Sequence, residues 1–461
     1  MRNLLALLAI LLLSNCATLP QGGVEYQLPK YKEVTLSNGL PVILIADSSL
    51  PYLSLVTLFK VGSRNDGLRT PGQASIVARM LNKGSRQLGA LELAEQWAFF
   101  GAHFSASVGE DFTIVSANGL STNADELLSL YAQVVLEPAF ADAELTRLIQ
   151  QQSANLTRMS DEPESFADLR YAEYLFAGHP YGRPVDGAVR GLKALRRADV
   201  IRFYFKHYRP NNAILAVVGQ MGPDMVERLE KAFGQWKAAP IVVDNPVTLA
   251  PLKDVHIRLV NKADLAQSQV RMGHYGIARK EKDFLALRVA NTILGGAFAS
   301  RLNQRVRDDL GLTYSISSFF DARAEVGPFE ISTFTRNDKV GQAISESLKV
   351  YQGLVENGVS EEEVQAAKGQ LRGLFPRTLE TPENLAINLL SLRAYGISDD
   401  YLRDYLKNLN SIDLHQVNAA IRKHMHPKDL RIVVYGPSSA VLPQLRPLGL
   451  VEVRDYKEFN D

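Results

Sequence analysis

Lys206-His207-Tyr208-Arg209-Pro210, then Leu215-Ala216-Val217-Val218-Gly219, recurs as Lys423-His424-Met425-His426-Pro427, then Ile432-Val433-Val434-Tyr435-Gly436, at a constant offset of 217 residues. In both copies a helix end, a proline break, an apolar strand and a glycine stop follow in one register. In a chain of 461 residues, repetition at that period means a duplicated domain and not a solenoid.

The segments leading to the first copy fix the class of that domain. Val34 to Ile45 is apolar around Asn38-Gly39, a two-residue turn signal, and predicts a hairpin. Tyr52 to Val61 predicts a third strand. Thr70 and Pro71 read as the N-cap and first residue of a helix running to about Lys83 and closed by Gly84. Helices are predicted over residues 91–100, 123–136, 142–159, 164–176 and 198–208, and strands over 103–107, 111–118 and 213–218. Hairpins mixed with runs of helices give an α+β class. The chain divides into two homologous domains, 31–237 and 254–461, each a mixed, largely antiparallel sheet covered by helices. The linker, 238–253, carries Pro240, Pro246 and Pro251.

Composition excludes several classes. The chain is 46% hydrophobic and 22% charged, which is ordinary for a globular protein. A net charge of +1 gives no electrostatic case for nucleic acid, which is not expected as a partner. No P-loop, dinucleotide fingerprint or G-x-S-x-G elbow is present. The single cysteine, Cys16, leaves no intrachain disulfide and no cysteine metal site. It follows Met1-Arg2-Asn3 and an apolar run from Leu4 to Leu13, too short to span a bilayer but suited to a signal-peptide core. Residues 1–16 resemble a bacterial lipoprotein signal with Cys16 as the lipidated residue, although Asn15 is larger than usual before such a cysteine. Residues 17–30 would be the tether, and a plain secretory signal cleaved a few residues on is the alternative. A lipoprotein signal implies a Gram-negative cell envelope and a membrane anchor. Ala17 lacks the aspartate that retains lipoproteins at the inner membrane, which points to the outer membrane facing the periplasm.

Leu294 to Ser318 carries the candidate binding chemistry. Gly295-Gly296 permits a turn or close approach, Ser300 to Asp309 reads as a helix with Leu302 and Val306 on one face, and Gly311 fits its C-cap. Thr313 to Ser318 alternates as a strand with Tyr314, Ile316 and Ser318 on one face. Arg307 and Tyr314 then offer guanidinium and phenol donors to peptide carbonyls or a carboxylate. The bland alternative pairs Arg307 with Asp308 or Asp309 and packs Tyr314 in the core. Among the eight histidines no two stand four apart beside a glutamate, so no zinc-protease helix exists. The one close pair, His424-x-His426, belongs to the repeated turn and reads as structural.

Taken together, Leu36-Ser37-Asn38-Gly39-Leu40, Val61-Gly62-Ser63-Arg64, Gly72 to Gly84, Gly101-Ala102, His179-Pro180-Tyr181-Gly182, Tyr208 to Gly219 and Asn291 to Ser315 resemble the pitrilysin/insulinase family of metallopeptidases. The resemblance covers nearly the whole mature chain. It implies duplicated α+β domains that form a clasp-like chamber around a peptide. Active members carry His-x-x-Glu-His on the helix that here reads Gly72-Gln73-Ala74-Ser75-Ile76-Val77-Ala78-Arg79-Met80. Ser75 and Arg79 stand at the ligand histidines, Ala78 at the glutamate base, and Asn155 at the distant glutamate ligand. The resemblance therefore implies no catalytic residue and no cofactor in this chain. Zinc is expected in a homologous His-x-x-Glu-His partner. Arg307-Asp308-Asp309-Leu310-Gly311-Leu312-Thr313-Tyr314 matches the family's R-x-x-x-G-L-x-Y pattern, which makes Arg307 and Tyr314 the expected substrate-binding residues. The implied function is a non-catalytic, peptide-binding subunit of a heterodimeric envelope metallopeptidase, acting on a peptide or unfolded protein. A structural or peptide-binding pseudoenzyme without proteolysis is the alternative.

Overall fold

The structure, a computed structural model, describes residues 28–242 and 247–459. Cys16, the signal segment, most of the tether and part of the linker lie outside the described residues.

Each half of the chain builds a six-stranded sheet. The first contains β1 (Lys32–Thr35), β2 (Pro41–Ala46), β3 (Tyr52–Phe59), β4 (His103–Val108), β5 (Thr113–Leu120) and β6 (Ala213–Gly219), in the order β1-β2-β6-β3-β5-β4. The expected hairpin forms with Val34 opposite Val42, and Gly39 takes φ +85° at its turn. The second sheet contains β7 (His256–Asn261), β8 (Gln267–Tyr275), β9 (Ile316–Phe320), β10 (Pro328–Arg336), β11 (Arg431–Gly436) and β12 (Leu450–Asp455), in the order β12-β7-β11-β8-β10-β9. The repeated strands β6 and β11 hold the same place. Each runs parallel to the strand on one side (β2 or β7) and antiparallel to that on the other (β3 or β8). The outer strand breaks the symmetry. β1 reaches its edge through a hairpin, whereas β12 arrives from the far end of the chain and lies parallel to β7.

Helices of the first half are α1 (Gln73–Met80), α2 (Ala90–Phe99), α3 (Ala124–Leu136), α4 (Asp142–Arg158), α5 (Pro163–Leu175), α6 (Val189–Ala194), α7 (Arg197–His207) and α8 (Met225–Phe233). The second half follows with α9 (Phe284–Asn291), α10 (Val340–Asn357), α11 (Glu361–Leu374), α12 (Pro382–Ala394), α13 (Asp400–Arg403), α14 (Tyr405–Ser411), α15 (Leu414–His424) and α16 (Ser438–Leu445).

The two halves are locked by exchange of helices. Because strand side chains alternate, β2 and β6 send Val42, Leu44, Leu215 and Val217 into the first core, beside Ile76 and Val77 of α1. Ile43, Ile45, Ile214, Ala216 and Val218 point the other way, into a core shared with Leu385, Ala386, Leu389 and Leu390 of α12. That is why these strands are apolar throughout: both faces are buried. In return, α5 lays Phe166, Ala167 and Tyr171 on Val260, Val433 and Tyr435 of the second sheet. Several polar groups at this joint are paired, as burial favours. Tyr171 Oη donates to the Phe329 carbonyl at 3.0 Å, and Lys262 Nζ donates to the Ser160 carbonyl at 3.0 Å. Arg271, only 1% exposed, joins Asp168 of α5 and stands 3.4 Å from Glu330.

Two predicted boundaries are corrected. Thr70 does not cap the first helix, and Pro71 does not begin it. The helix starts at Gln73 after Gly72, which has φ +92°, and it ends at Met80. Its amides are capped from outside: Asp66 accepts from Gly72 N at 2.6 Å and from Ala74 N at 2.8 Å. The strand expected from Thr313 begins only at Ile316. Thr313 Oγ1 donates to the Ser315 carbonyl at 2.8 Å, and Thr333 Oγ1 donates to the same carbonyl at 2.9 Å. The chain is bent there, so Tyr314 precedes the strand instead of opening it.

Candidate functional site

Helix α1 brings Ser75, Ala78 and Arg79 together, and their chemistry is not that of a metal site. Ser75 Oγ donates to Asp186 Oδ1 at 2.8 Å, and Arg79 Nη2 reaches the same oxygen at 3.3 Å. Ala78 is buried and offers no donor. From α4, the inward polar group is Gln152, whose Nε2 donates to the backbone carbonyl of Asp186. Asn155, the expected distant position, is exposed, and its carbonyl accepts from Arg158 at 3.1 Å. A guanidinium stays protonated and would repel a metal, and the hydroxyl and amide beside it carry no charge. These residues do not fit zinc. Sequence reasoning missed Asp186 and Gln152, because only the tertiary structure brings the turn after Tyr181 and the middle of α4 against α1.

Burial shapes the surroundings of this helix. It pushes Asp66 up to about 7, although the two amide N–H groups and Arg183 favour its charged form. Between the halves lies a cavity of about 410 Å³, bounded by Tyr181, Arg183 and Asp186 on one side and by Phe319, Arg323 and Glu330 on the other. Burial pushes Glu330 up to about 8, with Arg271 opposing.

Arg307 and Tyr314 lie at a second locus, on the second half. The chain from Arg301 to Asp309 is helical, widening to π-type turns over Asn303–Asp309. Leu302 and Val306 are buried, as their spacing predicts. Gly311, at φ +58°, ends the helix by donating its N–H to the Arg307 carbonyl at 3.0 Å. Arg307 grips Asp308 through Nε at 2.8 Å and Nη2 at 3.2 Å. That contact holds the guanidinium above its ordinary pKa, with a smaller contribution from Tyr314. The bland reading of Arg307 is thus half right, since the local carboxylate is Asp308. Its other half fails: Tyr314 is 85% exposed and packs in no core. Phe298, unforeseen in the sequence, lies with its ring centroid 3.9 Å from the Arg307 guanidinium carbon.

His274 and His424 are engaged elsewhere. His274 donates from Nδ1 to the Tyr275 carbonyl at 2.7 Å, so its Nε2 accepts from Tyr351 Oη at 2.6 Å and from His426 N at 3.1 Å. Among the described residues, Glu281, Asp283 and His424 place ligand-type atoms within 4.8 Å of one another. Lys423 Nζ already meets Asp283 at 2.7 Å and Glu281 at 3.4 Å, so an ammonium serves these carboxylates.

Comparison with known proteins agrees with this architecture. Residues 42–188 match the family described as insulinase (peptidase family M16), and residues 194–371 match the peptidase M16 inactive domain. An uncharacterized zinc protease of Rickettsia bellii is 25% identical over 390 residues, covering 83% of this chain and 92% of the relative. An uncharacterized zinc protease of Mycobacterium leprae is 29% identical over 428 residues, covering 89% and 94%. The crystal structure of a peptidase M16 inactive domain from Pseudomonas fluorescens superposes with a TM-score of 0.83 at 26% identity, covering 89% of this chain and 99% of that one. The chain belongs to the insulinase family of M16 peptidases.

Proposed function

We propose that this chain is the peptide-binding, non-catalytic subunit of a heterodimeric zinc metallopeptidase of the bacterial envelope. One contrast carries the reading. The positions of the family's metal chemistry hold an ion-paired arginine, a serine, an alanine and an outward asparagine, while Tyr314 stands 85% exposed and Arg307, its side chain 17% exposed, is held by Asp308. A homologous His-x-x-Glu-His subunit supplies the zinc, and the two clasp an unfolded peptide. Arg307 and Tyr314 hold and polarise the scissile carbonyl.

The test mixes the chain with such a partner from the same source and measures turnover per assembled complex. Removing one donor to a developing oxyanion lowers turnover by about 10²–10³-fold, so Arg307→Ala and Tyr314→Phe should each do so with assembly unchanged. Unchanged turnover per complex in both variants would leave the chain a wall of the chamber. No turnover in any complex would favour the pseudoenzyme without proteolysis.

The envelope location is part of the proposal and rests on residues 1–16 and Ala17. A single acyl chain binds membranes only marginally, and a lipoprotein's several chains hold it firmly. Cys16→Ser should therefore release the protein from the outer-membrane fraction without detergent. Mass spectrometry finding an unlipidated start beyond Cys16 would remove the anchor.

A further inference from the structure

Phe298 is 80% exposed, on a chain whose large apolar groups are mostly covered. The exposure does not come from a loose loop. The Ala297 carbonyl accepts from Ser300 N at 3.1 Å and from Asn303 Nδ2 at 3.1 Å, and Asn303 Nδ2 also lies 3.0 Å from Ser300 Oγ. Ser300 and Asn303 are themselves buried. Just before the turn, Gly295 fits so closely against β9 that a Cβ there would come within 2.7 Å of Ser318 N. A turn fixed by this many polar contacts presents its ring on purpose-built geometry.

The ring and Arg307 form one unit. Phe298 packs against a face of the guanidinium, while Asp308 takes its Nε–Nη2 edge. Of the five N–H donors of an arginine, Asp308 uses two, which leaves one on Nη2 and two on Nη1, on a side chain that is 17% exposed and lies against the Phe298 ring. A carbonyl oxygen on Nη1 would thus bring its neighbouring side chain over Phe298. The local charge selects among ligands. Asp308, paired with Arg307, and Asp309 after it disfavour a phosphate chain, whereas a neutral backbone carbonyl meets no such penalty.

We infer that Phe298 is a specificity-determining residue: it forms a subsite for a large apolar side chain next to the peptide carbonyl held by Arg307. This rests on the peptide-binding reading above. The substrate class is then an extended peptide with a phenylalanine, leucine or tyrosine beside the gripped carbonyl.

Two fluorescein-labelled probes test this, both uncharged glycine-serine-threonine peptides, one with a single phenylalanine and one with alanine in its place. Anisotropy against the full mature chain should show the phenylalanine peptide binding about 3- to 10-fold tighter, the range of one aromatic contact. Phe298→Ala should bring the two peptides to equal affinity, whatever that common affinity is, and Phe298→Trp should keep the preference. The ring touches no core, and a melting curve for each variant checks the fold. A preference that survives Phe298→Ala, with both affinities still falling on Arg307→Ala, overturns the subsite alone. Absence of any binding sensitive to Arg307→Ala overturns the peptide-binding reading and the subsite with it.

Discussion

Ser75 and Arg79 share one oxygen of Asp186, and the worth of that pair of contacts to the fold can be measured. Arg79 and Asp186 keep 38% and 44% side-chain exposure, so water screens them. An exposed pair of this kind contributes about 0–1 kcal/mol, whereas breaking a buried one costs about 3–5 kcal/mol. Asp186→Asn should therefore shift the urea midpoint by less than about 1 kcal/mol of stability. A larger loss would show that the cluster is a structural rivet. Phe298 and Tyr314 make the opposite point at the same scale. Both are large, apolar in part and exposed, and neither is buried in a core.

Gly273, in the middle of β8, illustrates what an element requires of its neighbours. A Cβ there would overlap the Phe329 carbonyl of β10 and come within 2.5 Å of Tyr171 Oη, which donates to that same carbonyl. Gly273→Ala should cost at least about 1–3 kcal/mol, the usual range of overpacking, because β8, β10 and α5 meet there. A melting temperature within error of wild type would mean that α5 yields easily. Elements with local causes were legible in the sequence: the Asn38-Gly39 hairpin, the repeated β6 and β11, and the Gly311 stop. Those set by distant partners were not. Asp66 caps α1 from outside the helix, so Thr70-Pro71 misled the reading of its start. The Thr333 hydroxyl helps bend the chain at Ser315, so the alternation from Thr313 did not become strand. β12 pairs with a strand about 190 residues earlier, and no local pattern announces that. At the candidate sites, the placing of Ser75, Ala78 and Arg79 on one helix and of Arg307 just before a glycine stop could be read from motif order. Asp186, Gln152 and Phe298 could not, because their partners come from separate segments.

The whole molecule joins two buried titrating groups with opposite signs. Glu330 is held at about 8, above its ordinary value, chiefly by burial. Its unfolded value is about 4.3, so the stability linked to it is full below that pH and declines as pH rises toward 8. Burial pushes His274 down to about 3. Its unfolded value is about 6.5, so its contribution is full above that pH and is lost as pH falls toward 3. Thermal melts from pH 4 to 9 should therefore show falling stability at both ends. Glu330→Gln should reduce the decline between about pH 5 and 8, leaving the share that Asp66, held at about 7, contributes, with the acid limb unchanged; an identical alkaline slope in the variant would sink that assignment. The exchange of α5 and α12 between the halves also has a consequence in time. As the chain is made, the first sheet is complete once Gly219 has emerged, yet α12, which covers its second face, ends about 175 residues later. Until that helix is in place, Ile43, Ile45, Val56, Leu58 and Ile214 have no cover on that face, so a chain cut short before Pro382 should leave them open to solvent.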